Sequence, residues 1–437
     1  MLVVNWRVVF ALSVWVLAVC TSDDLFPILL TLPTFVFVVY KLYKVKGGLF
    51  TSRDMYWLCI FFFFIVAPIQ SISGYGYSDG PAKYMTYDLG EFVFAEFIVL
   101  LGLICSSLFS VSKRLSIFSE IRSIKLSVYG FFVGLIVLSF FCYVYLSGGI
   151  ANIMLPRLEK VTADVNFVSV FFLGLMAVGV LLLAALHPMS NVFSLRAFCF
   201  VFVMILLLVC VNPLNNSRFV IVATWLPICL AIFSRSIGYK IVYAGLLAGL
   251  LVVMPLMSVT TRQGVDGLNG FNETGYASNL FKIKDIDIFD TLVHAVRVVD
   301  RTGYYYGDNV SAIIFFFVPR SFWPEKPVVG GLVVGGDLYK SYFAGTDNLS
   351  FFYVGDLYMD FGVVGVVFGC LFLGFIVSIF RFRFAFVFNG LNVTELILIG
   401  SLPILLRGPV GAVIGYFVCL MFSLLVYGFI LKMRCVK

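Results

Sequence analysis

Twelve apolar runs, most of them near 20 residues long and poor in charge, divide this chain, and they constrain its fold more than anything else in it. About 20 apolar residues make a helix of about 30 Å, the thickness of a bilayer's hydrocarbon core. In that medium every backbone N–H and C=O needs a partner within the protein, so only helices and closed barrels span. Barrel strands alternate apolar and polar residues over about 10 positions, and these runs do not alternate. Composition agrees, with 62% hydrophobic and 12% charged residues. A water-soluble domain so composed would expose large apolar patches. The expected fold class is an all-α polytopic integral membrane protein with twelve transmembrane helices.

The expected spans are 3–20, 25–41, 56–72, 92–110, 127–147, 166–187, 197–213, 218–234, 240–258, 351–380, 394–406 and 409–431. They divide the chain into an N-terminal membrane bundle at 1–258, a long loop at 259–350 and C-terminal membrane helices at 351–437. Basic residues in short loops set orientation. One set of alternate loops carries Arg7, Lys41, Lys44, Arg53, Lys113, Arg114, Arg196, Lys240, Arg381 and Lys432, among others. The short loops of the other set hold Lys83, Arg157, Lys160, Arg218 and Arg407. Both termini are therefore expected in the cytoplasm and segment 259–350 outside. "VLAVC" at 16–20 faintly resembles a lipoprotein cleavage site, but Val19 before the cysteine and the prompt second span favour an uncleaved anchor. Nine of the ten cysteines fall in or at the ends of spans and none in the long loop, so that loop is expected to fold without disulfides.

Segment 259–350 holds most of the candidate chemistry. It opens on the Gly- and Asn-rich "TTRQGVDGLNGFNETGYASN", expected to be irregular loop. Next, Phe289, Leu292, Val293, Val296 and Val299 recur at helical spacing, and Asp290, His294, Arg297 and Arg301 form a second stripe. An amphipathic helix is expected on the outer membrane surface, its charged stripe toward water or substrate. Tyr304-Tyr305-Tyr306 reads as an interfacial aromatic belt. "SAIIFFFVP" is too short to cross and reads as re-entrant or interfacial. "GGLVVGGD" at 330–337 lacks the Lys-Ser/Thr of a phosphate loop and reads as a flexible linker.

Two histidines, His187 and His294, on opposite sides of the expected membrane exclude a His-rich metal site. Nothing points to nucleic acid: the net charge of +7 is mostly the basic bias of the inner loops. What remains is arginine at the outer face: Arg157, Arg218, Arg262, Arg297, Arg301, Arg320 and Arg407. A guanidinium keeps its charge and grips phosphate oxygens in a bidentate fork. The bland alternative is contact with anionic lipid headgroups.

"VPRSFWPEKP" at 318–327 resembles the outer-loop motif of bacterial oligosaccharide repeat unit polymerases, the O-antigen polymerase (Wzy) family. "VGDLYMDFGVVGVVFGCLFLGF" at 354–375 is similar to that family's glycine-rich span, with Asp356 where Glu is commoner and Asp360 a turn later. The resemblance implies a metal-independent membrane glycosyltransferase in the bacterial inner membrane, working at its periplasmic face without a cofactor. A growing glycan on undecaprenyl diphosphate would pass to the hydroxyl of the next lipid-linked repeat unit, with a chain-length regulator protein as a further partner. Such chemistry needs cations for the leaving diphosphate, a base for the hydroxyl and a surface for sugars. Arg320, Arg297, Arg301 and Arg262 are the candidate diphosphate ligands. Asp300, Glu325, His294 and Asp356 are the candidate bases, unresolved among themselves, with a structural Glu325–Lys326 ion pair as the alternative for Glu325. Trp323 and Tyr305 are the candidate sugar platforms, and Pro319, Pro324 and Pro327 are expected to stiffen the backbone around Arg320. Two other readings remain: an O-antigen ligase, and a flippase or transporter for the lipid-linked sugar, which would need ionisable residues spread along a membrane-crossing cavity.

Overall fold

The computed structural model describes residues 5–22, 24–45, 47–74, 76–77, 82, 85–108, 124–155, 167–186, 194–212, 216–233, 238–249, 288–342 and 349–435. The helices are α1 (Trp6–Cys20), α2 (Leu25–Lys44), α3 (Ser52–Ser71), α4 (Leu89–Leu108), α5 (Leu126–Leu146), α6 (Ile150–Met154), α7 (Phe167–Leu186) and α8 (Leu195–Cys210). They continue as α9 (Arg218–Phe233), α10 (Tyr239–Ala248), α11 (Ile288–Thr302), α12 (Asp308–Ile314), α13 (Gly330–Tyr342), α14 (Tyr353–Arg383), α15 (Val393–Arg407) and α16 (Val410–Cys435). The strands among the described residues are two-residue hairpin arms, β1 (Ile72–Ser73) with β2 (Gly76–Tyr77), and β3 (Val387–Phe388) with β4 (Leu391–Asn392). A helix falls in each of the twelve expected segments. Seven of them, α2, α3, α4, α5, α7, α14 and α16, are long and apolar enough to cross a bilayer, while α1, α8 and α9 are apolar but shorter. This is an α-helical membrane protein.

The helices start where the sequence provides caps. Asp24 accepts from the Phe26 N–H (2.9 Å) ahead of α2, and Thr51 with Asp54 makes a reciprocal capping box at α3. Pro33, Pro227 and Pro403 sit inside α2, α9 and α15, which packing against neighbouring helices allows in a membrane bundle. α4 packs on α14, α5 and α16 on α7, and α15 on α3 and α9.

Hydrogen bonds between connections sort the bundle into two ends. At one, Gly74 N–H donates to Asp24 Oδ2 (2.9 Å), Gln70 Nε2 to the Ala18 carbonyl (3.0 Å) and Phe351 N–H to the Arg407 carbonyl (2.8 Å). At the other, Asn5 Nδ2 donates to the Tyr43 carbonyl (3.2 Å), and Ser52 donates through both N–H and Oγ to Glu395 (2.8 Å each). A buried ion pair lies at this second end. Arg7 Nε donates to Asp54 Oδ1 (2.5 Å), and the Tyr243 hydroxyl donates to the same oxygen (2.9 Å). Helices α11 to α13 gather at the first end.

The Gly- and Asn-rich opening of the long loop lies outside the described residues, and from residue 288 on the described part is mostly helical. Two expectations change here. α11 does not lie on the surface: Phe289, Leu292, Val293, Val296 and Val299 are buried, and so are Asp290 and His294. It is wedged against α4, α13 and α14, because each of those large apolar side chains gains about 1.5–3 kcal/mol on full burial. Nor are residues 330–337 a flexible linker. They open α13, and a Cβ on Gly330 would come within 2.7 Å of Asp356 Oδ1. Glycine there lets two helix starts touch.

Candidate functional site

The polar stripe of α11 is met side chain by side chain. Its middle member, His294, is fully buried, with Nε2 2.7 Å from Asp337 Oδ2 on α13 and Nδ1 3.0 Å from the Tyr87 hydroxyl. The Asp337 carboxylate can only accept, so Nε2 carries the hydrogen and Nδ1 accepts from Tyr87. Burial pushes His294 below its ordinary value, against the pull of Asp337, and the imidazole is neutral at pH 7.

Asp337 is shared. Arg301 Nη2 donates to the same Oδ2 (2.6 Å), and this pair reaches solvent, with side chains 52% and 33% exposed for Arg301 and Asp337. Burial alone would raise the Asp337 carboxyl, but the hydrogen bonds from His294 and Arg301 outweigh it and hold the group below the usual carboxylate range. One turn back, Arg297 grips Glu91 with two parallel bonds, Nε to Oε1 (2.7 Å) and Nη2 to Oε2 (2.5 Å). Its guanidinium lies 4.3 Å from the centre of the Tyr87 ring, a cation–π contact. The hydrogen bonds with Glu91 raise the Arg297 pKa further.

Two more carboxylates face α14's start. Asp360 is fully buried and accepts from the N–H groups of Asn309 (3.1 Å) and Val310 (2.8 Å) and from Asn309 Nδ2 (2.8 Å). It thereby holds the N-terminus of α12, a structural task. Immediately after it α14 breaks at Phe361 and Gly362, whose φ of +63° and contact with Tyr304 suit glycine alone. Asp356 is buried, with Oδ1 accepting from Gly330 N–H (3.1 Å) and Oδ2 without a hydrogen-bond partner among the described residues.

The remaining sequence candidates take other partners or stand exposed. Arg320 is exposed and donates through Nη1 to the Lys326 carbonyl (2.8 Å), closing its own turn. Lys326 does not pair with Glu325: its ammonium donates to the carbonyls of Phe316 and Val318 (3.1 Å each). The proline-rich stretch is thus a knot tied by its own charges, and Arg320, Arg297 and Arg301 each donate to a different acceptor, the Lys326 carbonyl, Glu91 and Asp337. Glu325 and Asp300 are exposed. Trp323 is half-buried edge-on to Phe315 (6.0 Å), and Tyr305 is half-buried with its N–H donated to the Met359 carbonyl (2.9 Å). Arg262 and His187 lie outside the described residues.

Sequence reasoning missed Tyr87, Glu91 and Asp337. Glu91 had a local signal: it stands three residues after Asp88 and accepts from the Asp88 N–H (2.7 Å), the pattern of a helix start. Among the described residues no three His, Cys, Asp or Glu side chains converge in a way that would hold a metal ion. No protein-family model, curated protein or solved structure matches this chain. Fold and site together define an α-helical membrane protein with a charged cluster, part buried and part open, at one end of its bundle.

Proposed function

We propose that this chain is an oligosaccharide repeat unit polymerase, with twelve crossings, both termini in the cytoplasm and the α11–α13 end in the periplasm of an inner membrane. The observation that carries the reading is the half-open Arg301–Asp337 pair backed by buried His294, taken together with the stretch that resembles the polymerase motif. Asn5, Tyr43, Ser52 and Glu395 meet at one end of the bundle, as an N-terminus and connections on one side of a membrane would. The open end offers what glycosyl transfer from a lipid diphosphate requires: cations, a carboxylate and a fixed histidine.

The mechanism follows from shared partners. A polyprenyl diphosphate competes with Asp337 for Arg301, and with Glu91 for Arg297. When the diphosphate takes Arg301, Asp337 keeps only its bond to His294 and regains basicity. It then accepts the proton of the acceptor hydroxyl as that oxygen attacks the anomeric carbon. The bond from this carbon to the diphosphate oxygen breaks, and its electron pair leaves with the diphosphate onto the guanidinium groups. His294 is a positioning residue: it holds Asp337 and touches no substrate. Arg320 and Trp323, on the knot, meet the lipid-linked sugar farther out, and Asp300, Glu325 and Asp356 are the competing bases.

A strain lacking the chain tests the assignment by its surface glycan. Core bearing a single repeat unit supports the polymerase. Core alone points to a ligase or a flippase, and full-length glycan removes the chain from this reaction class.

A further inference from the structure

Glu96, one turn in from the Phe92 end of the α2–α4 seam, has a carboxyl group that nothing at the open end uses. The seam's register is set at both ends. Phe26 packs edge-on to Phe92 (5.7 Å), and Lys41 Nζ donates to Ser107 Oγ (2.8 Å), so α2 and α4 run in parallel with a constant offset. That offset sets Leu30 opposite Glu96, with Thr34 one turn farther along. Glu96 is 5% exposed and Thr34 wholly buried, while Val93 and Phe97 beside Glu96 on α4 are about half exposed. The carboxyl group is therefore turned into the protein, away from lipid.

Among the described residues neither of its oxygens, nor the Thr34 hydroxyl, has a partner within hydrogen-bond distance, although Thr34 lies close enough to interact more weakly with the carboxyl. Thr34 is the one polar side chain among the described residues that interacts with Glu96. The charged groups on neighbouring elements include Lys41 and Lys44 on α2, Asp290, His294, Arg297, Asp300 and Arg301 on α11, and Asp356 and Asp360 on α14, and among the described residues no hydrogen bond joins any of them to the Glu96 carboxyl. Pro33, next to Thr34, has no N–H, which deprives the Leu29 carbonyl of its usual helical donor. Unpartnered oxygen atoms gathered inside a membrane bundle cost several kcal/mol if left bare. A carboxyl group within a span commonly marks an ion or proton path.

We propose that Glu96 and Thr34 form an intramembrane site for a monovalent cation, either a proton or Na⁺. The shared chemistry is charge neutralisation of one carboxylate by a small cation, and the site is independent of the glycan reading. It needs no residue of the α11–α13 cluster and would persist if that cluster bound another anion.

The test uses the full-length protein in native membranes and an apolar carbodiimide, which reacts with a protonated carboxyl group in an apolar setting. Modification is mapped by mass spectrometry across pH, with and without Na⁺. A proton site gives labelling at Glu96 that falls about tenfold per pH unit once the group ionises, with no effect of Na⁺. A sodium site gives labelling that Na⁺ suppresses at constant pH and K⁺ does not. Thr34→Val shifts either dependence by several-fold while the protein stays folded. Absence of labelling at Glu96, or labelling indifferent to both pH and Na⁺, overturns the proposal. As a second readout, NaCl in place of choline chloride raises the wild-type melting temperature at a sodium site, and Glu96→Gln abolishes that difference.

Discussion

Replacing Glu91 with Gln tests the clasp that joins α4 to α11. The carboxylate takes two bonds from one guanidinium at 2.7 and 2.5 Å. An amide offers one acceptor and turns an NH₂ toward a group that can only donate. A charge-assisted bond contributes about 1.5–3 kcal/mol. With side chains 24% exposed for Arg297 and 13% for Glu91, solvent returns part of that to the separated partners, and the expected loss is about 2 kcal/mol. Arg297 then rests on the Tyr87 ring alone. The assay is a double-mutant cycle of Glu91→Gln and Arg297→Gln on the full-length protein in detergent, followed by thermal unfolding. The expected coupling is about 1–2 kcal/mol, with the double variant more stable than the two single losses added together. Inorganic pyrophosphate should recover part of the Glu91→Gln loss, because it can take the freed guanidinium. Additive losses would refute the clasp. A clasp without pyrophosphate rescue would refute Arg297 as an anion ligand.

His294 carries a pH signature. Its folded-state pKa lies below the 6.5 of a free histidine, so the unfolded chain binds the proton more readily. Stability should therefore fall as pH drops through 6.5 and below, and His294→Gln should flatten that part of a stability–pH curve. Asp360→Asn removes the charge that receives three donors at the start of α12. It should cost about 2 kcal/mol and speed proteolysis within 303–329. Arg7→Leu leaves Asp54 buried with Tyr243 and without its cation. A loss of about 3–5 kcal/mol is expected, read as poor recovery of folded protein from membranes, and Arg7→Leu with Asp54→Leu should restore much of it.

The sequence carried the helices because apolar run length is a local property, and the α11 stripe because helical periodicity is local too. It could not carry the partners. Glu91 and Arg297 are separated by 206 residues and Tyr87 and His294 by 207, and no spacing rule reaches that far. Asp337 was hidden differently. Glycines at 330, 331, 335 and 336 speak for a linker by propensity, yet Gly330 and Gly331 are where α13 comes close to Phe351, Asp356 and Pro409. Tertiary contact overrode propensity, and the aspartate that binds His294 came with it. Pro319, Pro324 and Pro327 were legible as restrictions on the backbone, because they act through local geometry. Where the charges between them point was not, since Lys326 chose backbone carbonyls over the adjacent Glu325.

The most direct measurement reconstitutes the full-length protein in liposomes with undecaprenyl-diphosphate-linked repeat units from its own source organism and resolves the glycans on a gel. The account predicts a ladder of multiple repeat lengths with release of undecaprenyl diphosphate, reduced at least tenfold by Asp337→Asn. Repeat units left as single units by folded wild-type protein, or a ladder untouched by Asp337→Asn, would contradict it.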